Sequence, residues 1–275
     1  MGRLSKDERH QVILAELSAD SARRLTDIAR DLGVSRETIR RDLDELSSNG
    51  IISRTYGGAI VRPRGFESNL KARDTTFVAE RRAIAKAAAA LFQPTEVLML
   101  STGSTTLYLA RQMAGERRPM TVITNGLDAA TVLAVNPDIR VIVAPGDYDS
   151  REARLWGAET TDFLRKFQAD TAVIGASGLF PGGACEADTP TAWVGRVMLE
   201  RARRRVLLMI HTKFDQPKLE LICPLETIDV LISDRAPEGA LLEAIHDAGI
   251  DLKVVSEADM LAAEGATGRV TPLQR

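Results

Sequence analysis

The chain has 275 residues, of which 44% are hydrophobic and 27% charged, and its formal net charge is −2. This length predicts about two domains, and the composition is that of an ordinary soluble globular protein. A charge this close to zero excludes a protein whose whole surface attracts nucleic acid, so any such binding must come from local patterning. No apolar run approaches the roughly 18 residues of a membrane span, so we expect a cytoplasmic protein without a membrane partner.

The two cysteines, Cys185 and Cys223, lie far apart and have no C-x-x-C spacing. This pattern indicates neither a disulfide scaffold nor a zinc site. We therefore expect two reduced cysteines, no metal and no cofactor. Cys185 lies in a glycine-rich stretch in which it could be accessible.

A helix-turn-helix arrangement is predicted near the N-terminus. A first helix from Asp7 to Leu17 and a short second helix from Thr26 to Leu32 each place apolar residues on one face, with Thr26 as a possible cap. Gly33 then supplies a tight turn, after which the hydroxyl of Ser35 can cap a third helix.

The third helix, predicted over residues 36–49, carries the chemistry of this region. Ile39, Leu43 and Leu46 recur at helical spacing and form its inward face. A guanidinium can bind a phosphate or the edge of guanine with two hydrogen bonds, so the arginines of the opposite face suit the major groove of double-stranded DNA. The candidate DNA-binding residues of this recognition helix and its cap are Ser35, Arg36, Glu37, Thr38, Arg40 and Arg41.

A β-hairpin is predicted directly after the recognition helix. Residues 51–55 and 59–61 have strand character, and Gly57-Gly58 is a turn signal. Arg54 and Tyr56 near its tip are further DNA-binding candidates, which completes a winged helix-turn-helix domain over residues 1–62. The alternative, a three-helix protein-interaction domain with solvated arginines, is disfavoured because the caps, the turn, the arginine face and the hairpin agree with one another.

The rest of the chain is predicted to be a second, α/β domain. Residues 63–77 combine Pro, Gly, Ser, Asn and charges without periodicity, which indicates a linker. Over residues 78–256 short apolar strands alternate with helices, which predicts a doubly wound, mostly parallel sheet covered on both faces. Residues 257–275 lose this pattern and are expected to form a frayed tail. In such sheets ligands bind beyond the carboxyl ends of the strands.

The loop Ser101–Thr106 follows one predicted strand and opens a predicted helix. Small hydroxylated residues around Gly103 let backbone N–H groups converge on an anion such as phosphate, although such a loop can also be a plain turn and helix cap. Three residues after later strands join it, and Lys213 among them can add positive charge. The candidate effector-binding residues are Ser101, Thr102, Gly103, Ser104, Thr105, Thr106, Asn125, Gly146 and Lys213.

The stretch from Ala176 to Pro190 is predicted to be a long, mobile, acidic loop. Glu186 and Asp188 could contact the hydroxyls of a ligand or transfer protons, but solvated carboxylates are the more common case. His211 could contact a sugar, although a lone histidine is more often structural. No catalytic residue is assigned.

A signature near the N-terminus combines four stretches: Val34-Ser35, Thr38-Ile-Arg-Arg-Asp-Leu43, Asn49-Gly50 and Arg54-Thr-Tyr-Gly-Gly-Ala59. In these stretches and in the loops after the strands, the sequence resembles the DeoR family of bacterial transcriptional regulators. The resemblance implies a winged helix-turn-helix domain followed by a sensor domain similar in fold to ribose-5-phosphate isomerase. It also implies that Ser101–Thr106 binds phosphate, that Asn125 lies near the sugar, and that Lys213 belongs to a Ser-Lys-Phe-like segment.

These observations predict a DNA-binding transcriptional regulator, more often a repressor in such a family, of a carbohydrate or related metabolic operon. Its DNA affinity would change when a phosphorylated sugar or similar metabolite binds. A homo-oligomer, dimer or tetramer, is expected because paired half-sites of operator DNA give more specificity than one helix. Two alternatives remain: a sugar-phosphate isomerase-like enzyme fused to a DNA-binding arm, and a structural DNA-binding protein that senses nothing.

Overall fold

The computed structural model describes residues 6–19, 24–48, 52–55, 58–61, 65, 67–256 and 258–261. The chain divides into two compact units, one within residues 1–66 and the other within residues 67–275. Each unit has its own hydrophobic core. Among the residues with a described position, no helix has both the length and the apolar character needed to cross a membrane.

The first unit contains three helices and an antiparallel hairpin in the predicted order. Its elements are α1 (Lys6–Ala19), α2 (Leu25–Asp31), α3 (Arg36–Ser48), β1 (Ile52–Thr55) and β2 (Gly58–Val61). Ser35 caps α3 as predicted, since its Oγ accepts a hydrogen bond from Thr38 N at 3.0 Å. Thr26 does not cap α2, because the N-cap position belongs to Arg24. The pairing of Thr55 with Gly58 confirms the predicted hairpin.

The core of the first unit brings the three helices and the hairpin together. Its apolar members are Ile13, Leu17, Ile28, Ala29, Ile39, Leu43, Leu46, Ile52 and Ala59. Asp42 is also buried, and it accepts hydrogen bonds from Arg9 Nε at 2.6 Å and Arg9 Nη2 at 2.8 Å. His10 Nε2 lies 3.3 Å from the same carboxylate. This cluster, Arg9–His10–Asp42, fixes α1 against α3.

The second unit is built on a seven-stranded sheet whose neighbouring strands run parallel. Its helices are α4 (Leu70–Asp74), α5 (Val78–Ala89), α6 (Ser104–Ala114), α7 (Leu127–Leu133), α8 (Ala158–Leu164), α9 (Thr189–Glu200) and α10 (Gly239–Asp247). Its strands are β3 (Val97–Leu100), β4 (Met120–Thr124), β5 (Ile139–Val143), β6 (Asp147–Asp149), β7 (Arg154–Trp156), β8 (Ala169–Ile174), β9 (Gly178–Phe180), β10 (Gly183–Glu186), β11 (Ala202–Met209), β12 (Glu220–Cys223), β13 (Val230–Ser233) and β14 (Asp251–Val254).

The order of strands in this sheet is β14-β13-β11-β8-β3-β4-β5, so the direction of winding reverses between β3 and β8. Successive residues of β3 enter different cores: Leu98 and Leu100 pack in the cluster that contains α5 and α6, and Met99 packs in the cluster of α9 and α10. Helices therefore cover both faces, which confirms the predicted doubly wound α/β domain. A ligand is expected at the reversal, beyond the carboxyl ends of β3 and β8.

The prediction of a linker over residues 63–77 is wrong for residues 70–74, which form α4. Asn69 caps this helix by accepting a hydrogen bond from Ala72 N at 2.9 Å, and Leu70 is buried. A five-residue helix is too short to show a helical period in the sequence, and its stability comes from tertiary contacts instead.

The stretch from Ala176 to Pro190 is not a mobile loop. It forms β9 and β10, and β10 is the central strand of a small antiparallel sheet in which it pairs with β9 on one side and β12 on the other. Its glycines reflect close packing: a Cβ at Gly178 would lie 1.7 Å from the backbone oxygen of Gln216. Cys185 in β10 is buried rather than accessible.

The chain also continues beyond the last strand of the second unit. Residues 258–261 form a helical turn, and Ser256 Oγ accepts a hydrogen bond from Asp259 N at 3.1 Å. Residue 257 and residues 262–275 lie outside the described part of the chain, so a frayed tail stays a prediction for them.

Candidate functional sites

The exposed face of α3 carries most of the predicted DNA-binding side chains. Ser35, Arg36, Glu37, Arg40 and Arg41 are exposed, and Thr38 is half-buried. The backbone of Arg54 lies in β1, opposite Ala59. The side chain of Arg54 and the whole of Tyr56 lie outside the described residues.

Glu37 holds two of these arginines in place. Arg40 Nε and Nη2 each donate to its carboxylate at 2.8 Å, and Arg41 Nε donates at 3.2 Å. The hydrogen bonds from Arg40 and then Arg41 lower the pKa of Glu37 to about 2. Glu37 therefore holds the two guanidiniums side by side. To bind a phosphate or a base edge, each arginine must either use its remaining N–H groups or break its hydrogen bonds to Glu37.

The loop Ser101–Thr106 lies at the reversal of the sheet. Ser101 Oγ accepts a hydrogen bond from Gly175 N, just after β8, at 3.4 Å. Thr102 Oγ1 donates to the Glu152 backbone oxygen at 3.1 Å, and Thr106 Oγ1 donates to the Gly103 oxygen at 3.0 Å. Three of the predicted hydroxyls therefore already have protein partners.

The N-terminus of α6 lies within this loop. Gly103, with φ +150°, is the N-cap residue and has no side chain to accept the hydrogen bonds of the first turn. Ser104 and Thr105, in that turn, are buried. An anion bound here would meet first-turn N–H groups, two hydroxyls and the positive end of the helix dipole.

Asn125 and Gly146, the candidates after β4 and β5, have structural contacts of their own. Asn125 Nδ2 donates to the Leu155 oxygen at 2.9 Å, while its Oδ1 is buried without a partner. A Cβ at Gly146 would lie 2.4 Å from the Trp156 oxygen, so this residue serves close packing. None of the contacts found among the described residues joins Gly146 to the loop after β3.

Lys213 lies in a single 3-10 turn, His211–Lys213, after β11. Its Nζ donates to Glu67 Oε1 at 2.8 Å and to the Ala176 oxygen at 2.7 Å. The neighbouring His211 is bound to Asp234 through both its backbone N–H and its ring Nδ1, which supports the structural interpretation of this histidine.

Arg73 and Glu152 extend this group of charges. Arg73 Nη2 donates to Glu152 Oε2 at 2.6 Å, and Arg73 Nε lies 3.7 Å from Glu67 Oε1. We call Glu67, Arg73, Glu152, Ser177, Glu186 and Lys213 the ionic cluster. The ionic cluster is connected to the loop after β3 in two ways. Thr102 Oγ1 donates a hydrogen bond to the Glu152 backbone oxygen. Ser101 Oγ accepts one from the N–H of Gly175, which precedes Ala176, the residue whose oxygen Lys213 binds.

Two carboxyl groups of the ionic cluster share one hydroxyl. Ser177 Oγ bonds both Glu67 Oε2 and Glu186 Oε2, yet a hydroxyl has one proton to donate, so one of the acids must be protonated. Burial and then the charge of Glu67 raise the pKa of Glu186 to about 7. Burial opposes ionisation of Glu67 as well, but the charges of Lys213 and Arg73 outweigh it and lower its pKa to about 2. Glu186 is therefore the acid that donates to Ser177.

Glu186 and Asp188 are not the solvated carboxylates that the sequence favoured. Glu186 is buried in the ionic cluster. Asp188 caps α9 by accepting from Thr191 N at 3.2 Å, and it pairs with Arg154 Nη2 at 2.6 Å. Within the part of the chain that the structure describes, no group of three or more His, Cys, Asp or Glu side chains is arranged to hold a metal ion.

Four members of the ionic cluster were missed from the sequence. Ser177 follows β8 and could have been found by the same rule that selected the other post-strand residues. Glu67, Arg73 and Glu152 had no such signal, because two of them fell in the predicted linker and the third lies between two three-residue strands.

Two sequence families match the two units. The DeoR-like helix-turn-helix domain matches residues 9–64, and the DeoR C-terminal sensor domain matches residues 76–235, more than half of the chain. The chain belongs to the DeoR family. This member of the DeoR family is therefore a DNA-binding transcriptional regulator with a C-terminal sensor domain, as the resemblance implied.

Related proteins match nearly the whole chain. It is 31% identical to the HTH-type transcriptional regulator GolR of Listeria innocua, over 90% of this chain and 98% of the relative. It is 26% identical to the glycerol-3-phosphate regulon repressor of Escherichia coli, over 91% of this chain and 100% of the relative. A ribose 5-phosphate isomerase A of Methanocaldococcus jannaschii is 18% identical and matches 50% of this chain and 54% of its own with a TM-score of 0.36. The relatives are regulators, so the alternative of an isomerase-like enzyme fused to a DNA-binding arm is set aside.

Proposed function

We propose that this DeoR-family protein is a repressor that a phosphorylated sugar or polyol releases from its operator. The effector phosphate binds the N-terminus of α6, and the candidate residues are Ser101, Thr102, Gly103, Ser104, Thr105, Thr106, Asn125, Gly146 and Lys213. The observation that carries this proposal is the uncapped first turn of α6 at the reversal of a parallel sheet, with Lys213 close by. The relative named as a glycerol-3-phosphate regulon repressor supports repression and a regulon that concerns a phosphorylated polyol.

The DNA-binding half of the proposal assigns the exposed face of α3 to the major groove. Arg36, Arg40 and Arg41 contact phosphates or base edges, while Arg54 and Tyr56 of the wing add contacts nearby. We propose that the regulator binds as a dimer or tetramer, so that two recognition helices occupy paired half-sites of one operator. Analytical ultracentrifugation of the free protein and of its DNA complex measures this assembly directly.

The effector is tested by a panel that contains glycerol 3-phosphate, ribose 5-phosphate, glucose 6-phosphate, fructose 6-phosphate and the same compounds without phosphate. A ligand at 100 times its Kd should raise the Tm by about 5 °C. It should also weaken binding to DNA selected in vitro, as measured by fluorescence anisotropy. A panel in which no phosphorylated compound does either would refute the proposal.

The position of the phosphate is tested with Ser104→Ala and Thr105→Ala. Each removes one buried hydroxyl from the first turn of α6, and the loss of a charge-assisted hydrogen bond should weaken effector binding about tenfold. Thr131→Ala is the matched control: its hydroxyl, on the exposed side of α7, bonds its own helix at the Leu127 oxygen. Equal losses in all three variants would contradict the assigned position.

A further inference from the structure

Glu67 occupies the position of a bound anion in the ionic cluster. Its carboxylate lies 2.8 Å from Lys213 Nζ and 3.7 Å from Arg73 Nε, and it accepts a hydrogen bond from Ser177. Glu67 is also the first residue of the second unit, where the chain arrives from the helix-turn-helix unit. A residue at this junction therefore holds the cation that the proposed phosphate site needs.

The helix after Glu67 is anchored without it. Leu70 is buried, and its N–H donates to the Arg151 oxygen at 3.1 Å. Arg73 is held by two hydrogen bonds to the Glu152 carboxylate, at 3.1 and 2.6 Å, and Tyr108 donates to the Asp74 oxygen at 2.9 Å. Ser68 and Asn69 are also held without it, because Arg73 Nη1 donates to the Ser68 oxygen and the Asn69 side chain caps α4. If the Glu67 carboxylate leaves Lys213, only Glu67 and the chain before it come free.

The charges of the ionic cluster balance as it stands. The cations Lys213 and Arg73 face the carboxylates of Glu67 and Glu152, and the protonated Glu186 adds no charge. A further anion would leave this partly buried group with an uncompensated negative charge, which is costly away from water. One carboxylate must then leave. Glu152 is bound to Arg73 through two hydrogen bonds, whereas Glu67 is the carboxylate bound to Lys213, so an anion that reaches Lys213 competes with Glu67.

We propose that Glu67 is an internal counter-ion, and that the anionic group of the effector displaces it from Lys213 and so frees the chain before α4. This inference rests on the proposed function and adds to it the step by which occupancy of the sensor domain reaches the segment leading to the DNA-binding unit. The coupling is reciprocal. The ion pair between Glu67 and Lys213 lowers the affinity for the effector, and bound effector in turn weakens that ion pair. The effector class is thereby narrowed to compounds whose anionic group reaches Lys213.

The first experiment measures the affinity of the full-length protein for inorganic phosphate and for the sugar phosphates of the panel by isothermal titration calorimetry. Glu67→Gln removes the competing charge and should lower the Kd about tenfold, within the usual range of coupling between sites. Glu67→Asp keeps the charge and should stay near the wild-type value. Glu152→Gln is the matched control, because it removes the same charge from the same cluster but leaves Lys213 paired with Glu67.

The second experiment follows the release itself by limited proteolysis of the full-length protein with a protease that cuts after glutamate. Adding the phosphorylated ligand should speed cleavage after Glu67, while cleavage after Glu152, whose carboxylate stays bonded to Arg73, is the internal control. In Glu152→Gln, which leaves Glu67 on Lys213, the ligand should speed cleavage after Glu67 as it does in the wild type.

The counter-ion proposal and the proposed function can fail independently of each other in these experiments. If phosphorylated ligands bind but Glu67→Gln and Glu152→Gln tighten binding equally, the effect is one of general charge and the counter-ion proposal is wrong, while the proposed function stands. Ligand binding without faster cleavage after Glu67 overturns it as well. If no phosphorylated compound binds to any variant, both proposals fail.

Discussion

At the scale of single residues, Glu37 pairs with two arginines on the exposed face of the proposed recognition helix. It binds Arg40 and Arg41 at once, so the free protein presents a row of partly neutralised guanidiniums rather than open cations. Sequence reasoning placed these side chains on one face but could not show that the acid among them pairs with both arginines. If α3 binds DNA as proposed, we expect Glu37 to limit attraction to DNA of arbitrary sequence.

We predict that Glu37→Gln strengthens binding to DNA of random sequence about threefold and makes the affinity depend more steeply on salt, because Arg41 loses its carboxylate partner and Arg40 keeps only the longer contact to Asp44, at 3.4 Å. The ratio of the affinities for operator DNA and random-sequence DNA should decrease. Anisotropy titrations at several salt concentrations measure both effects. Glu45→Gln, the same charge change elsewhere on α3, is the control, and an equal effect from it would contradict the prediction.

Glu186 gives a second prediction at this scale, on pH. Its pKa is raised from the ordinary 4.5 to about 7, so the folded state holds a proton that the unfolded chain releases. The stabilising contribution of this proton is complete below pH 4.5 and is lost as the pH rises to about 7. Glu67, whose pKa is lowered to about 2, contributes in the opposite sense: its share is present above pH 4.5 and is lost as the pH falls towards 2.

Glu186→Gln should therefore flatten the decline in stability between pH 4.5 and 7. Urea unfolding followed by tryptophan fluorescence reports on the second unit alone, because the two tryptophans of the chain, Trp156 and Trp193, both lie there. A wild-type stability that does not fall over this pH range would contradict the assignment of the proton.

At the scale of elements, α1 and α3 are joined by one buried polar cluster. We predict that Asp42→Asn costs about 2 kcal/mol, because it leaves the half-buried Arg9 without its carboxylate. Glu45→Gln is the control: Glu45 pairs with Lys6 at 2.6 Å on the exposed side of the same two helices, and its loss should cost less than about 0.5 kcal/mol. Hydrogen exchange of the α3 amides measures both. Equal losses of stability in Asp42→Asn and Glu45→Gln would contradict a larger contribution from the buried pair.

The long elements were predictable and the short ones were not. The strands of the large sheet are apolar runs bounded by helices, and β4 and β13 lie where the sequence placed them, at residues 120–124 and 230–233. The helix α4 and the three-residue strands β6, β7 and β9 contain too few residues to show a period. Their positions depend on contacts with distant segments.

The same limit applies to the candidate site. The rule that ligands bind beyond the carboxyl ends of parallel strands identified the loop after β3 and Lys213, because each directly follows an apolar strand. The partner of Lys213 could not be found in this way, since Glu67 lies 146 residues away along the chain. Arg73 and Glu152 are 79 residues apart, and neither position carries a local pattern.

At the scale of the whole molecule, the second unit begins earlier than its sequence family does. The sensor-domain match starts at residue 76, whereas the compact unit starts at Glu67 and includes the buried Leu70. Because each unit has its own core, we expect a fragment of residues 65–261 to fold alone.

A fragment of residues 76–261 should be less stable than the fragment of residues 65–261 by about 3 kcal/mol, or roughly 5–10 °C in Tm. It lacks Leu70 and leaves Lys213 and Glu152 without their partners Glu67 and Arg73. A fragment of residues 65–256, which lacks the last helical turn, is the control for shortening. Differential scanning calorimetry compares the three, and equal Tm values would show that α4 does not belong to the folded unit.

The pairing of β3 with β8 also determines which part of the chain can fold first during translation. The two strands are bonded across 73 residues, so the sheet reversal cannot form until β8 has left the ribosome. Translation adds about 5–20 residues per second, and the helix-turn-helix unit, complete by residue 66, has several seconds to fold before that moment. A nascent chain, or one cut short before β8, would carry the recognition helix without any effector site. We therefore expect premature stop codons in this interval to yield fragments whose DNA binding does not respond to the proposed effector.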